Sequence, residues 1–173
     1  VYRLMDKFKS SKILLPVTIF TTTAIGATTL GMGAEFIPMI PVFLLVSKEL
    51  GYDRVFGVSF LLVGEGIGWT TGVTNPFNVH IAQQIAEVPI GSGILFRLIF
   101  FFICYAVGLR YFLKYGESVR LNPTKSVMKD DSFNIDALKL EKVPLERKHK
   151  YIVVVAVVLF ALIIYAVQSL GWG

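Results

Sequence analysis

Cysteine and histidine are almost absent from this sequence: one Cys, at 104, and two His, at 80 and 149, in 173 residues. A lone cysteine inside an apolar run rules out a disulfide framework and leaves no metal-ligand spacing, so Cys104 reads as packing. No H-E-x-x-H, G-x-S-x-G or phosphate loop occurs, so the motifs that would support an enzyme are missing. There is no signal-peptide pattern, no methionine at Val1, and the last apolar segment runs straight into Gly173, from which a longer chain is expected. Charge is scarce too, at 17%. A nucleic-acid partner would need a basic, folded, soluble face. The net charge of +5 is not arranged that way: sixteen of the 17 Lys and Arg lie in 1–12, 48–54 or 110–150, and Arg97 is the exception. Basic residues confined to such segments are the bias of loops that stay cytoplasmic.

What is present is apolar surface. Hydrophobic residues make up 54% of the chain, 14 of them Phe, and the mean hydropathy is +0.66, well above an ordinary soluble domain. Residues 93–113 hold only Arg97 and Arg110 as charges, and 151–170 hold none, so each can cross a bilayer core of about 30 Å. The expected fold is therefore an all-α membrane protein. Residues 1–12 would lie at the cytoplasmic interface, and 114–150, with nine basic and six acidic residues, would form a cytoplasmic connector.

Two segments do not fit simple spans. Residues 13–47 run 35 positions with one charge, Glu35, and basic residues flank both ends, at Lys12 and Lys48. One span would put a flank outside, and two need about 40 residues plus a turn. A re-entrant hairpin fits: 13–30 goes in, 31–34 turns, and 36–47 returns. Gly51 can end that arm and Asp53 can cap the next helix. Residues 55–86 run 32 positions with Glu65 as the only charge, longer than a single span of about 20. Pro76 and the glycines at 64, 66, 68 and 72 predict a break between Gly68 and Asn75.

The candidate site lies where these two segments are interrupted. The return arm begins near Glu35 with Pro38 and Pro41 in its early turns, and the second half-helix begins at Asn75 and Pro76, a good cap followed by a good first residue. Two helix N-termini at mid-depth suit a carboxylate or other anion. The preceding helix ends, near Gly31 and Gly68, offer carbonyls. With Thr70, Thr71, Thr74 and Asn75 they could hold a coupling Na⁺ or a substrate ammonium, H⁺ being the other coupling ion considered. No cofactor and no firm metal site are expected. The competing reading is that Gly64, Gly68 and Gly72 form a face for close helix packing while the threonines bond their own backbone. Each intramembrane carboxylate costs on the order of 3 kcal/mol, which makes function the default for Glu35 as a counter-ion or proton carrier. Glu65 could simply face water. Arg97 reads as snorkelling to the external interface, and His80 as a hydrogen-bonded structural histidine.

Gly31-Met32-Gly33-Ala34-Glu35 with the following Phe-Ile-Pro-Met-Ile-Pro, Leu50-Gly51-Tyr52-Asp53, Gly66-Ile-Gly through Thr74-Asn75-Pro76-Phe77, Ile81-Ala82-Gln83, Val88-Pro89, Ser92-Gly93 and Arg97 occur in order. Together they resemble the YfcC-type branch of the C4-dicarboxylate anaerobic carrier family, in the ion transporter superfamily. The resemblance implies inverted repeats, each with a re-entrant hairpin and a broken helix meeting at a substrate site. This chain would supply the later part of the first repeat and the first helix of the second. It also implies Gly31, Gly33 and Glu35 as tip residues, and Thr71, Thr74, Asn75 and Pro76 as break residues. A Gly-Met-Gly-Ala-Glu tip stands where related tricarboxylate and dicarboxylate carriers have Ser-Asn-Thr.

The expectation is a multi-pass secondary transporter of the cytoplasmic (inner) membrane that moves a small carboxylate-bearing metabolite, an amino acid by preference, through ion coupling or exchange. A C4-dicarboxylate carrier is the alternative within transport, and a non-transporting structural or assembly subunit is the alternative from another class. Expected partners are the lipid bilayer, a small anion or amino acid, and the remainder of the same chain, with a homodimer as one option and no nucleic acid.

Overall fold

The computed structural model describes residues 13–129 and, beyond them, residues 148, 151, 152, 154, 155, 158, 159 and 162. The chain divides into two units, 1–138 and 139–173. In the second, the described residues are helical; the rest of the expected 151–170 span, like the 1–12 segment and most of the connector, lies outside the described residues.

In the first unit every α, 3₁₀ or π element among the described residues is helical: α1 (Leu14–Leu30), a 3₁₀ turn (Ala34–Met39), α2 (Ile40–Glu49), α3 (Arg54–Thr71), a π turn (Pro76–His80), α4 (Ile81–Ile85) and α5 (Ile94–Leu121), then a short 3₁₀ turn (Pro123–Lys125). Four threonines of α1, a residue type that fits helices poorly, are held by their hydroxyls. Thr18, Thr21, Thr22 and Thr29 each donate to the carbonyl four residues back, at 2.6–2.8 Å, a bond that replaces water where none is at hand. α1 ends at Gly31 in the left-handed region (φ +70), whose N–H bonds Ala27 O while Met32 N–H bonds Gly26 O. That pair of bonds is how a glycine closes a helix.

As expected from the sequence, Gly51 (φ +81) follows α2, and Asp53 caps α3 by accepting from Phe56 N–H at 2.8 Å. The other Asp53 oxygen accepts from Tyr115 at 2.5 Å and from Ser126 at 2.6 Å, so one carboxylate joins the start of α3, the end of α5 and the residues beyond it. α5 runs eight residues past the predicted span of 93–113, to Leu121, because the polar residues after 113 include good helix formers and Arg120 pairs with Glu117 at 2.7 Å one turn back.

α1, α2 and α5 pack on α3, which is the centre of the unit. Gly64 and Gly68 lie against α1: a Cβ on Gly64 would overlap the Thr23 hydroxyl, and one on Gly68 would stand 2.6 Å from Ala24 O. Thr23 takes up the close approach by donating to Phe60 O at 2.8 Å. On the other side Phe56 stacks on Phe112 with centroids 4.2 Å apart, and Phe112 on Phe20 at 4.9 Å. Stacked rings of this kind add about 0.5–1.5 kcal/mol beyond area burial. The outer face of α5 has no such cover. Leu95, Phe96, Ile99, Phe102, Ile103 and Tyr111 are exposed along a 28-residue apolar helix, a surface suited to lipid tails. The broken stretch Arg54–Ile85 is likewise long and apolar enough to cross a membrane.

Candidate functional site

The break in the second segment is short. α3 continues through Gly64, Gly66 and Gly68 to Thr71, and Gly72 (φ +41) ends it with its N–H on Gly68 O at 2.9 Å. Residues 73–75 leave the helix through a bend at Val73 and Thr74, and Asn75 caps the next helical turn by accepting from Phe77 N–H at 2.9 Å. Val79 and His80 both direct their N–H to Asn75 O, at 3.0 and 3.3 Å, which gives the first turn its wider π form. Such turns are rare and are found frequently at functional sites.

This break is bonded to the end of α1. Thr74 N–H donates to Thr28 O (3.1 Å), the Thr74 hydroxyl to Thr29 O (3.2 Å), and Asn75 Nδ2 to Ala27 O (3.0 Å). Val73 N–H donates to the Thr28 hydroxyl at 3.0 Å, and that hydroxyl lies 3.1 Å from the Thr71 hydroxyl. Asn75 is fully buried (0% exposed). The two interruptions thus bond to each other. Gly31 belongs to the same knot: a Cβ there would stand 2.7 Å from Asn75 Oδ1 and 2.5 Å from the Phe77 ring.

The tip of the first segment presents its acidic side to α3. Gly33 N–H donates to Glu35 Oε2 at 2.8 Å, and a Cβ on Gly33 would stand 2.6 Å from Glu65 Oε1. Both carboxylates therefore close on Gly33. Trp69, one turn after Glu65, donates from its indole N–H to Met32 O at 3.2 Å and stacks on Phe77, centroids 6.4 Å apart. Asn78 Nδ2 holds Trp69 O at 2.9 Å, tying the half-helix to the end of α3. The return arm opens as a 3₁₀ turn containing Glu35 and Pro38, and Pro41 falls in the first turn of α2.

Of the residues singled out from sequence, Gly31, Thr71, Thr74, Asn75 and Pro76 lie at the knot, and Gly33 and Glu35 at the tip beside it. Gly68 and Thr71 are buried, with the Thr71 hydroxyl on Ile67 O at 2.8 Å, while Thr70 is exposed on another face of α3. The competing reading also holds in part: Gly64 and Gly68 do pack α3 on α1. Glu65 was weighed from sequence with facing water as its simpler reading; Trp69, Thr28 and Asn78 were not foreseen. Glu65 and Trp69 are spaced by four and so share a helix face, which is the signal that could have found them. Arg97 donates from Nε to Val73 O at 3.1 Å and from Nη1 to Ser92 O, in the 87–93 loop, at 2.8 Å. His80 is partly exposed.

This order of elements and motifs can be set beside known proteins. A family profile described as C4-dicarboxylate anaerobic carrier matches residues 1–172. The chain belongs to that carrier family. The chain is similar to an Escherichia coli (strain K12) protein named "Putative basic amino acid antiporter YfcC", 30% identical over 134 residues, which are 77% of this chain and 26% of that protein. It is also similar to an uncharacterized protein of Haemophilus influenzae (strain ATCC 51907 / DSM 11121 / KW20 / Rd), 23% identical over 175 residues, 98% of this chain and 34% of that protein. The chain spans about a quarter to a third of the length of these curated relatives. No solved structure matches it. The family is described as one of carriers, and the apolar outer face of α5 is compatible with a lipid environment.

Proposed function

We propose that the protein is a secondary active transporter of the cytoplasmic membrane for a small metabolite that carries both a carboxylate and a cationic group, a basic amino acid being the class that fits. The observation that carries this reading is the approach of Glu35 and Glu65, from two different elements, to Gly33. Two carboxylates at membrane depth are costly unless something positive joins them, and a substrate ammonium or guanidinium would do so. The substrate carboxylate is matched by the start of the half-helix at Asn75 and Pro76, where the helix dipole is positive. The name of the Escherichia coli relative supports the same class.

In this reading 13–47 is a re-entrant hairpin, Gly31, Gly33 and Glu35 form its tip, and Thr71, Thr74, Asn75 and Pro76 form the facing wall. The remainder of an inverted-repeat chain closes the site, and the 114–150 connector is cytoplasmic. Transport is driven by Na⁺ or H⁺, or by exchange.

The test is uptake of radiolabelled arginine into vesicles holding the full-length protein, with succinate as competitor. Arginine uptake that succinate does not inhibit, reduced at least tenfold by Glu35→Gln, is expected. Succinate uptake that Glu35→Gln leaves intact would replace this reading with a dicarboxylate carrier. Absence of any solute uptake would favour a structural subunit.

A further inference from the structure

Arg97 stands at the far end of the broken helix from Asp53, among apolar residues, and its charge is not neutralised: its bonds go to two backbone carbonyls, and among the described residues it forms no ion pair. Carbonyl partners satisfy the N–H groups of a guanidinium without cancelling its charge. Those two carbonyls belong to different elements, Val73 in the helix break and Ser92 in the 87–93 loop, so the guanidinium is held at a fixed orientation with its second terminal nitrogen uncommitted. Gln83 makes the loop rigid, donating from Nε2 to Ser92 O at 2.9 Å and accepting from Gly91 N–H at 3.2 Å. Beside Arg97 is a cavity of about 400 Å³, bounded by Asn78, Ala82, Gln83, Ala86 and Ser92 and lined mainly by apolar atoms. That volume accommodates a small metabolite.

We propose that this cavity is a second binding site, which takes a carboxylate on Arg97 before the solute passes to the knot at Asn75. A preoriented guanidinium in apolar surroundings favours a carboxylate through charge-assisted hydrogen bonds. Its bond to Val73 places the bound group next to the break, one residue from Thr74. A phosphate from a lipid headgroup offers the same oxyanion chemistry; the carboxylate is preferred because the cavity is bounded by the half-helix and the loop rather than by the outer face of α5. The idea rests on the transport reading above, but its test does not depend on transport.

In vesicles holding the full-length protein with Cys104→Ser and Ala86→Cys, a membrane-impermeant maleimide applied from the side of the 87–93 loop reports whether the cavity is filled. Arginine, succinate and agmatine, which is arginine without its carboxylate, serve as probes. At a probe concentration about four times half-saturating, mass action leaves one site in five free, so labelling should slow about fivefold. Slowing is expected with arginine or succinate and not with agmatine; it should vanish in Arg97→Gln and persist, weakened, in Arg97→Lys. If Arg97→Gln fails to fold, the comparison of arginine with agmatine in the parent protein decides alone. Equal slowing by agmatine, no slowing by either carboxylate, or slowing that follows phosphatidylglycerol content instead would overturn the site. Uptake measured on the same vesicles separates the two readings: transport without protection sinks only this site, and protection without transport sinks only the transporter assignment.

Discussion

Asn75 joins the two interrupted segments through one amide group: its Nδ2 donates to Ala27 O at the end of α1, and its Oδ1 caps Phe77 at the start of the half-helix. Asn75→Ala removes both bonds: Phe77 N–H loses its acceptor, at about 1–3 kcal/mol for an orphaned group, while Ala27 O keeps the Gly31 N–H. Asn75→Asp keeps the cap and loses the donor to Ala27. Thermal unfolding of detergent-solubilised protein should therefore rank wild type above Asp and Asp above Ala, with uptake lost in both variants. Wild-type stability in Asn75→Ala would mean that water enters the knot and replaces the side chain.

Three glycines of α3 should behave differently although their spacing looks alike. Gly68→Ala drives a methyl group into Ala27 and to 2.6 Å from Ala24 O, whereas Gly66 has nothing within 4 Å of where its Cβ would lie. Overpacking at Gly68 should cost about 1–3 kcal/mol. At Gly66 the higher helix propensity of alanine should stabilise by about 0.5–1 kcal/mol. Gly64→Ala, which meets the Thr23 hydroxyl, should side with Gly68→Ala. Melting temperatures of the three single variants check the order.

The Asp53 carboxylate has three donors, Phe56 N–H, Tyr115 and Ser126. Asp53→Ala should cost about 1 kcal/mol for the lost helix cap alone and release the chain around Ser126. Trypsin cleavage after Lys125 and Lys129 should then accelerate. Asp53→Asn preserves the cap and should fall between the two, so equal cleavage of all three proteins would exclude Asp53 as the anchor of this segment.

Alkaline pH offers a separate check on the same end of the molecule. Burial pushes the Tyr52 hydroxyl above its ordinary range, with Arg120 opposing and Glu117 adding to the effect. A tyrosine whose folded value is raised holds its proton better when folded. Its contribution to stability is thus complete below the unfolded value of about 10 and is lost as pH rises through the folded one. Tyr52→Phe, which keeps the ring stacked on Phe56 at 4.0 Å, should flatten the alkaline limb of a plot of melting temperature against pH. An unchanged limb would assign that loss to other tyrosines.

The helices and both interruptions were legible in the sequence because Gly31, Gly51, Asp53, Gly72, Asn75 and Pro76 each perform a local task that residue chemistry dictates. A helix stop needs a left-handed residue, and a cap needs an acceptor. The pairing of the interruptions was not legible, since nothing local states that Thr74 and Asn75 will reach Thr28, Thr29 and Ala27, more than forty positions earlier. For the same reason the bond from Arg97 to Val73 O was not legible: charge and position along a helix do not reveal a carbonyl presented by another element. The approach of Glu65 to Gly33 was not legible either, because it joins two different elements.

The bonds from residues 73–75 to the end of α1 also bear on the thermodynamics of ligand capture. A surface whose backbone is already tied down loses little conformational entropy when a solute arrives, so less of the interaction energy goes into ordering the chain. Capture at this surface should leave main-chain amide exchange at Val73 and Thr74 almost unchanged, because those amides are bonded before the ligand comes.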